Sequence, residues 1–296
     1  MPEKPCFLPK SSLLSDQEIL QIARIFVEDY KIRKIRLTGG EPLLRKNLLG
    51  ILTPLSKMPI KLAITTNGVL LDRYIEDFES LGIKSLNISL DSLHADRYNN
   101  ITGSGHFSKV VKNIRKALEK GFHLKINVVI KQGMNDDEIL DFISWTNTEN
   151  VHVRFIEFMP FSGNAWAWQE VVPYLKILDL IKSAYSLRKL KDDKGSTARA
   201  FQINGFKGTF AIISSVSHPF CSSCNRIRLT ADGKLISCLF SKDEFDLLSL
   251  MRQGRDIQPI IELAISKKYA ERGGLTEFST MAVSDELGRT MTAIGG

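Results

Sequence analysis

The chain has 296 residues, 43% hydrophobic and 25% charged, an ordinary balance for a globular protein of one large domain or a barrel with an appendage. No apolar run is long enough to cross a bilayer, and the opening Met1-Pro-Glu-Lys-Pro-Cys6 reads as neither a signal nor a transit peptide. A net charge of +7 fits a solvated basic surface or an anionic partner, either nucleic acid or a phosphorylated small molecule, and composition does not choose.

The first predicted element is a helix: Ser15 and Glu18 form a capping box, and Ile19, Ile22, Ala23 and Phe26 follow at one-face spacing. Strands are then predicted at 34–38, 61–66, 85–90, 125–130 and 152–158. Helical patterns separate them. One carries Val110, Ile114, Ala117 and Leu118 and stops at Gly121; another starts at Asn135, with Glu138 three residues on. Strands alternating with helices imply parallel βα units. A helix precedes the first strand here, which reads as an initial strand lying upstream of Met1.

Each strand has an apolar face and a polar one. Lys34, Arg36 and Thr38, Thr65 and Asn67, Asn87, Ser89 and Asp91, Lys125 and Asn127, and His152 and Arg154 alternate with apolar residues. Side chains alternate across a strand, so each polar set shares one face. With helices outside, those faces converge inside a barrel, toward the strand ends where barrel sites are built. A large interior cavity for a polar, anionic ligand is expected.

The pattern changes after Phe158, and the predicted boundary lies there: 1–158 as a partial parallel (β/α) barrel, 159–296 as a smaller α+β region. Residues 164–172 are irregular, 173–185 read as a helix, 190–198 as a polar loop, and 201–217 as paired strands around Gly205 and Gly208.

Three of the four cysteines fall within eighteen residues, as Cys221-Ser-Ser-Cys224 and Cys238, while Cys6 stands alone. Without a secretory signal, a metal site is favoured over disulfides. Two thiolates on a tight turn and a third from a nearby strand can hold an iron–sulfur cluster or, with His218, a zinc ion. Spacing leaves both open. Arg226 and Arg228 would share a strand face aimed at an anion. Gly39-Gly40-Glu41-Pro42 ends a strand, where glycines admit a ligand to the backbone and Glu41 can accept from an ammonium group.

Lys34-Ile-Arg-Leu-Thr-Gly-Gly-Glu-Pro42, Thr65-Thr-Asn-Gly68, Asn87-Ile-Ser-Leu-Asp91, Arg154-Phe-Ile-Glu-Phe-Met159, Phe220-Cys-Ser-Ser-Cys-Asn-Arg-Ile-Arg228 and the final Gly295-Gly296 together resemble the GTP 3′,8-cyclase family of molybdenum cofactor biosynthesis, in the radical S-adenosylmethionine superfamily. The resemblance implies that Gly39, Gly40, Glu41, Ser89 and Met159 hold S-adenosylmethionine. It implies that Arg36, Thr65, Lys125, Arg154, Arg226 and Arg228 bind GTP. Cys221, Cys224 and Cys238 would carry a 4Fe-4S cluster, favouring iron–sulfur over zinc, and Gly295 and Gly296 would enter the active site. The implied reaction is cyclisation of GTP by 5′-deoxyadenosyl radical chemistry, with the product passing to cyclic pyranopterin monophosphate synthase.

A nucleotide rather than nucleic acid is then the anionic partner, a homodimer is compatible, and the expected location is the mitochondrial matrix in a eukaryote or otherwise the cytoplasm. The family's first-cluster motif, Cys-x3-Cys-x2-Cys, is not among the 296 residues, and the resemblance places it, with the second expected cluster, upstream of Met1. A chain of these residues alone is expected not to cleave S-adenosylmethionine. Two further readings stay open: a catalytically incomplete isoform or paralogue that binds GTP and one cluster, and a zinc-stabilised nucleotide-binding module.

Overall fold

The computed structural model describes residues 8–192, 195–274 and 289–294. Helix α1 (Asp16–Glu28) opens on the expected capping box, with the Glu18 N–H donating to Ser15 Oγ and the Ser15 N–H to Glu18 Oε2. The strands follow as β1 (Lys34–Leu37), β2 (Lys61–Thr66), β3 (Ser85–Ser89), β4 (His123–Ile130), β5 (His152–Glu157), β6 (Leu187–Lys189), β7 (Arg199–Ile203) and β8 (Thr209–Ile213). They form one sheet in the order β1-β2-β3-β4-β5-β8-β7-β6. β1 to β5 and β8 run parallel, and β7 and β6 are antiparallel additions. This is an α/β fold with a mostly parallel central sheet, as a partial barrel requires.

Helices α2 (Leu48–Ser56), α3 (Ile75–Ser80), α4 (Ala95–Thr102), α5 (Phe107–Glu119), α6 (Ile139–Thr148) and α7 (Tyr174–Ala184) fill the connections. The main core joins Ile51, Leu52, Phe78, Val110, Ile114 and Phe142 to Ile64, Ile88, Ile126 and Phe155. Each such side chain contributes roughly 1.5–3 kcal/mol by leaving water. β4 shows the expected period: Leu124, Ile126, Val128 and Ile130 are buried, while Lys125 and Asn127 are partly open. α5 ends before Gly121, whose φ of 71° suits a residue without Cβ.

Two details depart from the predicted pattern. α6 starts at Ile139, because Asn135 and Glu138 bond elsewhere. Asn135 Nδ2 donates to the Asp91 and Val129 carbonyls, and Glu138 accepts from Ser92 Oγ, the Leu93 N–H and Arg97. The second departure concerns the paired strands after residue 198. They do form, but β8 pairs with β5, so the sheet runs on across residue 158.

The remaining chain adds a small sheet of β9 (Arg228–Leu229), β10 (Lys234–Ile236) and β11 (Phe245–Asp246), with helices α8 (Leu247–Arg252), α9 (Gln258–Ser266) and α10 (Met291–Ile294). A second core packs Leu235, Leu248 and Ile261 against Ile22 and Phe26 of α1. A third gathers Phe161, Trp166, Val216, Ile236, Phe240 and Ile294, with Met159 and Cys238 against it. Cys6, Gly295 and Gly296 lie outside the described residues. Among the described residues no helix is long and apolar enough to cross a membrane.

Candidate functional site

The polar strand face is a basic one. The Arg36 guanidinium lies 3.4 Å from Thr65 Oγ1 on the neighbouring strand, and Arg154, only 9% exposed, donates to Asn127 Oδ1. Burial, then Arg226 and Arg228, holds Arg36 down to about 10. Burial, then Arg36 and Arg226, holds Arg154 down to about 9. Arg228 is lowered to about 10 by burial and Arg226, and Lys34 is lowered by burial, Arg36, Arg226 and Arg154. All three arginines stay protonated at neutral pH. Each of them feels Arg226, because β1, β5 and the chain from Arg226 into β9 bring these side chains near one another.

Such crowding of like charge opposes folding unless an anion relieves it. Two buried polar atoms on this face, Arg154 Nε and Asn87 Oδ1, have no hydrogen-bond partner in the protein, which marks them as groups for a ligand or solvent to satisfy. His152 shares a hydrogen bond of 2.7 Å with Thr209 Oγ1. Burial, then Lys125 and Arg154, pushes its imidazole down to about 3, so it is neutral there. Lys125 stands in register with His152 across β4 and β5.

The residues expected to hold S-adenosylmethionine lie at the C-terminal ends of β1, β3 and β5. Gly39 has φ 123°, and a Cβ at Gly39 or Gly40 would meet nothing within 4 Å. Backbone open to space on both residues fits close approach of a cofactor. Glu41 is already engaged: its carboxylate accepts from Thr66 Oγ1 and the Asn67 N–H, each at 2.7 Å, and from the Leu43 N–H at 3.0 Å. Its visible work is to tie the turn after β1 to the Thr-Thr-Asn-Gly turn after β2. Ser89 ends β3, and Met159 follows β5 and packs against the third core, as Cys238 does.

The cysteine trio is brought together. All three thiols are free and half-buried. Burial pushes the Cys238 thiol up, and neighbouring Cys221 and Cys224 push the same way. Among the described residues no three His, Cys, Asp or Glu side chains close on a point that would hold a single metal ion. His218 has its Nδ1 3.2 Å from Ser217 Oγ and its ring 5.5 Å from that of Tyr174. A cubane binds each thiolate through a different iron and wants wider spacing than one tetrahedral zinc. Cations and an amide donor near the sulfurs also suit a cluster. The three thiols can hold an iron–sulfur cluster, each taking a different iron.

Glu157, inside the Arg154–Met159 motif, has a structural task that the motif alone does not reveal. It is fully buried, and its oxygens accept from the backbone N–H groups of Tyr174 at 2.7 Å, Val216 at 2.8 Å and Ser217 at 2.9 Å, and from Ser217 Oγ. It fastens the end of β5 to the segment that leads into Cys221. The signal was present: Glu157 lies on the face of β5 that carries Val153 and Phe155, where a carboxylate is out of place.

Two family models match the chain, one describing the radical SAM superfamily over residues 6–146 and one described as Molybdenum Cofactor Synthesis C over residues 151–273. Molybdenum cofactor biosynthesis protein 1 of Homo sapiens is 40% identical over 289 residues, covering 95% of this chain and 45% of the relative. The chain thus spans about half the length of that relative. The mitochondrial GTP 3′,8-cyclase of Arabidopsis thaliana is 40% identical over 295 residues, covering 97% of this chain and 74% of the relative. Among solved structures, Streptococcus suis SuiB bound to S-adenosylmethionine superposes with a TM-score of 0.55 at 13% identity, over 85% of this chain and 61% of that one, a likeness of fold alone. With the relatives' identity extending over nearly its whole length, this chain belongs to the GTP 3′,8-cyclase family of molybdenum cofactor biosynthesis, within the radical S-adenosylmethionine superfamily.

Proposed function

We propose that this chain binds GTP on its basic strand face and takes part in cyclising it to (8S)-3′,8-cyclo-7,8-dihydroguanosine 5′-triphosphate, the first step of molybdenum cofactor biosynthesis. The observation that carries the reading is the gathering of Arg36, Arg154 and Arg228 around Arg226, with Arg228 beside Cys224 and Cys238. A triphosphate would neutralise the arginines and satisfy Arg154 Nε, leaving the base toward the cysteines.

In this reading Arg36, Thr65, Lys125, Arg154, Arg226 and Arg228 grip the nucleotide. Gly39, Gly40, Glu41, Ser89 and Met159 hold S-adenosylmethionine across the strand ends. Cys221, Cys224 and Cys238 hold a 4Fe-4S cluster facing the guanine. S-adenosylmethionine, with a reducing cluster on the Cys-x3-Cys-x2-Cys motif, would supply radical chemistry for hydrogen abstraction at the ribose 3′ carbon. The chain's own residues fix the ribose and base in register and keep water from the reacting carbon.

Residues 1–158 then form the partial barrel, which carries most of the S-adenosylmethionine contacts and part of the GTP contacts, and 159–296 add the cluster and the remaining GTP contacts. Ile294 is buried in the third core with Met159 and Cys238, which supports a part for Gly295 and Gly296 beside the substrate. The product would pass to cyclic pyranopterin monophosphate synthase, in the mitochondrial matrix in a eukaryote. Anaerobic incubation of protein carrying Cys-x3-Cys-x2-Cys with GTP, S-adenosylmethionine and dithionite tests the proposal. The 3′,8-cyclised nucleotide is expected; none, with every cluster loaded, would refute it.

A further inference from the structure

The sulfurs of Cys221 and Cys224 both accept hydrogen bonds from one stretch of chain, while Cys238 is bonded locally by the Phe240 backbone. After α9 ends at Ser266, the following residues run back over the cysteine turn. Lys268 Nζ lies 3.8 Å from Cys224 Sγ and donates to the Arg226 carbonyl at 2.7 Å. The Arg272 N–H donates to Cys221 Sγ at 3.3 Å. Gly273 then takes φ 64°, and a Cβ there would lie 2.6 Å from the Ser241 nitrogen and 2.7 Å from the Phe240 carbonyl carbon. Only a glycine lets these two backbones meet. The contact presses residues 268–274 against the loop that follows Cys238, so one segment reaches all three cysteine positions.

A lysine just past a helix C-terminus ordinarily needs no explanation beyond favourable interaction with the last carbonyls. Lys268 does something else. Its ammonium is directed at a sulfur and at the backbone between Cys224 and Arg228, and it is half-buried while doing so.

We propose that residues 268–274 form an outer shell to the cysteine-held cluster, and that the Lys268 ammonium and the Arg272 amide raise its reduction potential. The inference rests on the iron–sulfur reading of Cys221, Cys224 and Cys238. One-electron reduction adds negative charge, which the cluster shares with its ligating sulfurs. A cation beside one sulfur and an N–H dipole on another stabilise the reduced state more than the oxidised one. The shell thereby makes the cluster easier to reduce at a given donor potential and shields its thiolates from solvent.

The test is an EPR-monitored redox titration of the full chain after anaerobic reconstitution. Lys268→Met keeps the stem and removes the charge; Lys268→Arg keeps the charge. Lys268→Met should take up as much iron and sulfide as the unaltered protein and show a more negative midpoint, while Lys268→Arg stays near the unaltered value. Gly273→Ala should lift the segment, and a chelator should strip its iron about tenfold faster. An unchanged midpoint in fully loaded Lys268→Met would overturn the proposal. Failure of the unaltered chain to assemble any iron–sulfur cluster would instead remove the iron–sulfur reading, and this inference with it.

Discussion

The Glu157 carboxylate accepts the Val216 N–H at 2.8 Å, across 59 positions of sequence. With Tyr174 and Ser217 it faces only donors, so an ionised carboxylate is the one side chain of this shape that satisfies all of them. Glu157→Gln keeps the shape but turns an amide NH2 toward N–H groups. An unsatisfied buried donor costs about 1–3 kcal/mol, and urea unfolding should show a loss of about 2–4 kcal/mol, with Glu157→Asp losing less. An unaltered midpoint in Glu157→Gln would remove the clamp from the account.

Much of this was readable in the residues. The alternation of strands with helices predicted the parallel sheet, and the two-faced strands predicted the basic face, because side chains alternate across a strand. Cys221, Cys224 and Cys238 announced a site through their spacing. What was not readable were links set by tertiary bonding. Asn135 and Glu138 look like a helix start, yet they are spent on the end of β3 and the residues after it. β8 was expected to pair with its hairpin partner and does, but nothing local says that its other edge joins β5. Lys268 resembles any surface lysine until the fold sets it against Cys224.

Arg154 is held among like charges in a mostly buried position, so the ligand-free protein bears a cost that a triphosphate removes. Arg154→Met should leave thermal stability without nucleotide unchanged or raised. It should also weaken GTP binding by about tenfold or more, the size of one good charge-assisted contact. Calorimetric titration and melting curves check both halves. A variant that loses stability and keeps its GTP affinity would show Arg154 to be structural.

His152 sets a pH dependence of known sign. Its folded value, about 3, lies below the ordinary 6.5, so the unfolded chain takes up the proton first. Its contribution to stability is intact above about 6.5 and is lost as pH falls toward 3, at about 1.4 kcal/mol per pH unit. Asp91 works the other way, its carboxyl raised to about 6 by burial, so acid favours its folded form below that value. Comparing His152→Asn with the unaltered chain isolates the histidine. The variant's stability should fall less steeply between pH 6 and 4, and identical slopes would count against a buried neutral imidazole.

Reconstitution should load about one 4Fe-4S cluster on the Cys221, Cys224 and Cys238 set. Serine at any of the three should abolish its visible absorption, while Cys6→Ser should leave it unchanged. Full zinc occupancy without iron uptake would restore the zinc reading.

On the proposed reading the arginine-lined face and the cysteine-held cluster form a single GTP site, so EPR spectra of the reduced cluster, recorded with GTP, GMP and ATP, should report which nucleotide is bound. GTP should shift the spectrum at low micromolar concentration. GMP should produce the same shift only at much higher concentration, since it lacks the phosphates the arginines hold, and ATP should leave the spectrum unmoved because its base differs at the cluster. A spectrum indifferent to saturating GTP, in protein that calorimetry shows to have bound it, would contradict the claim.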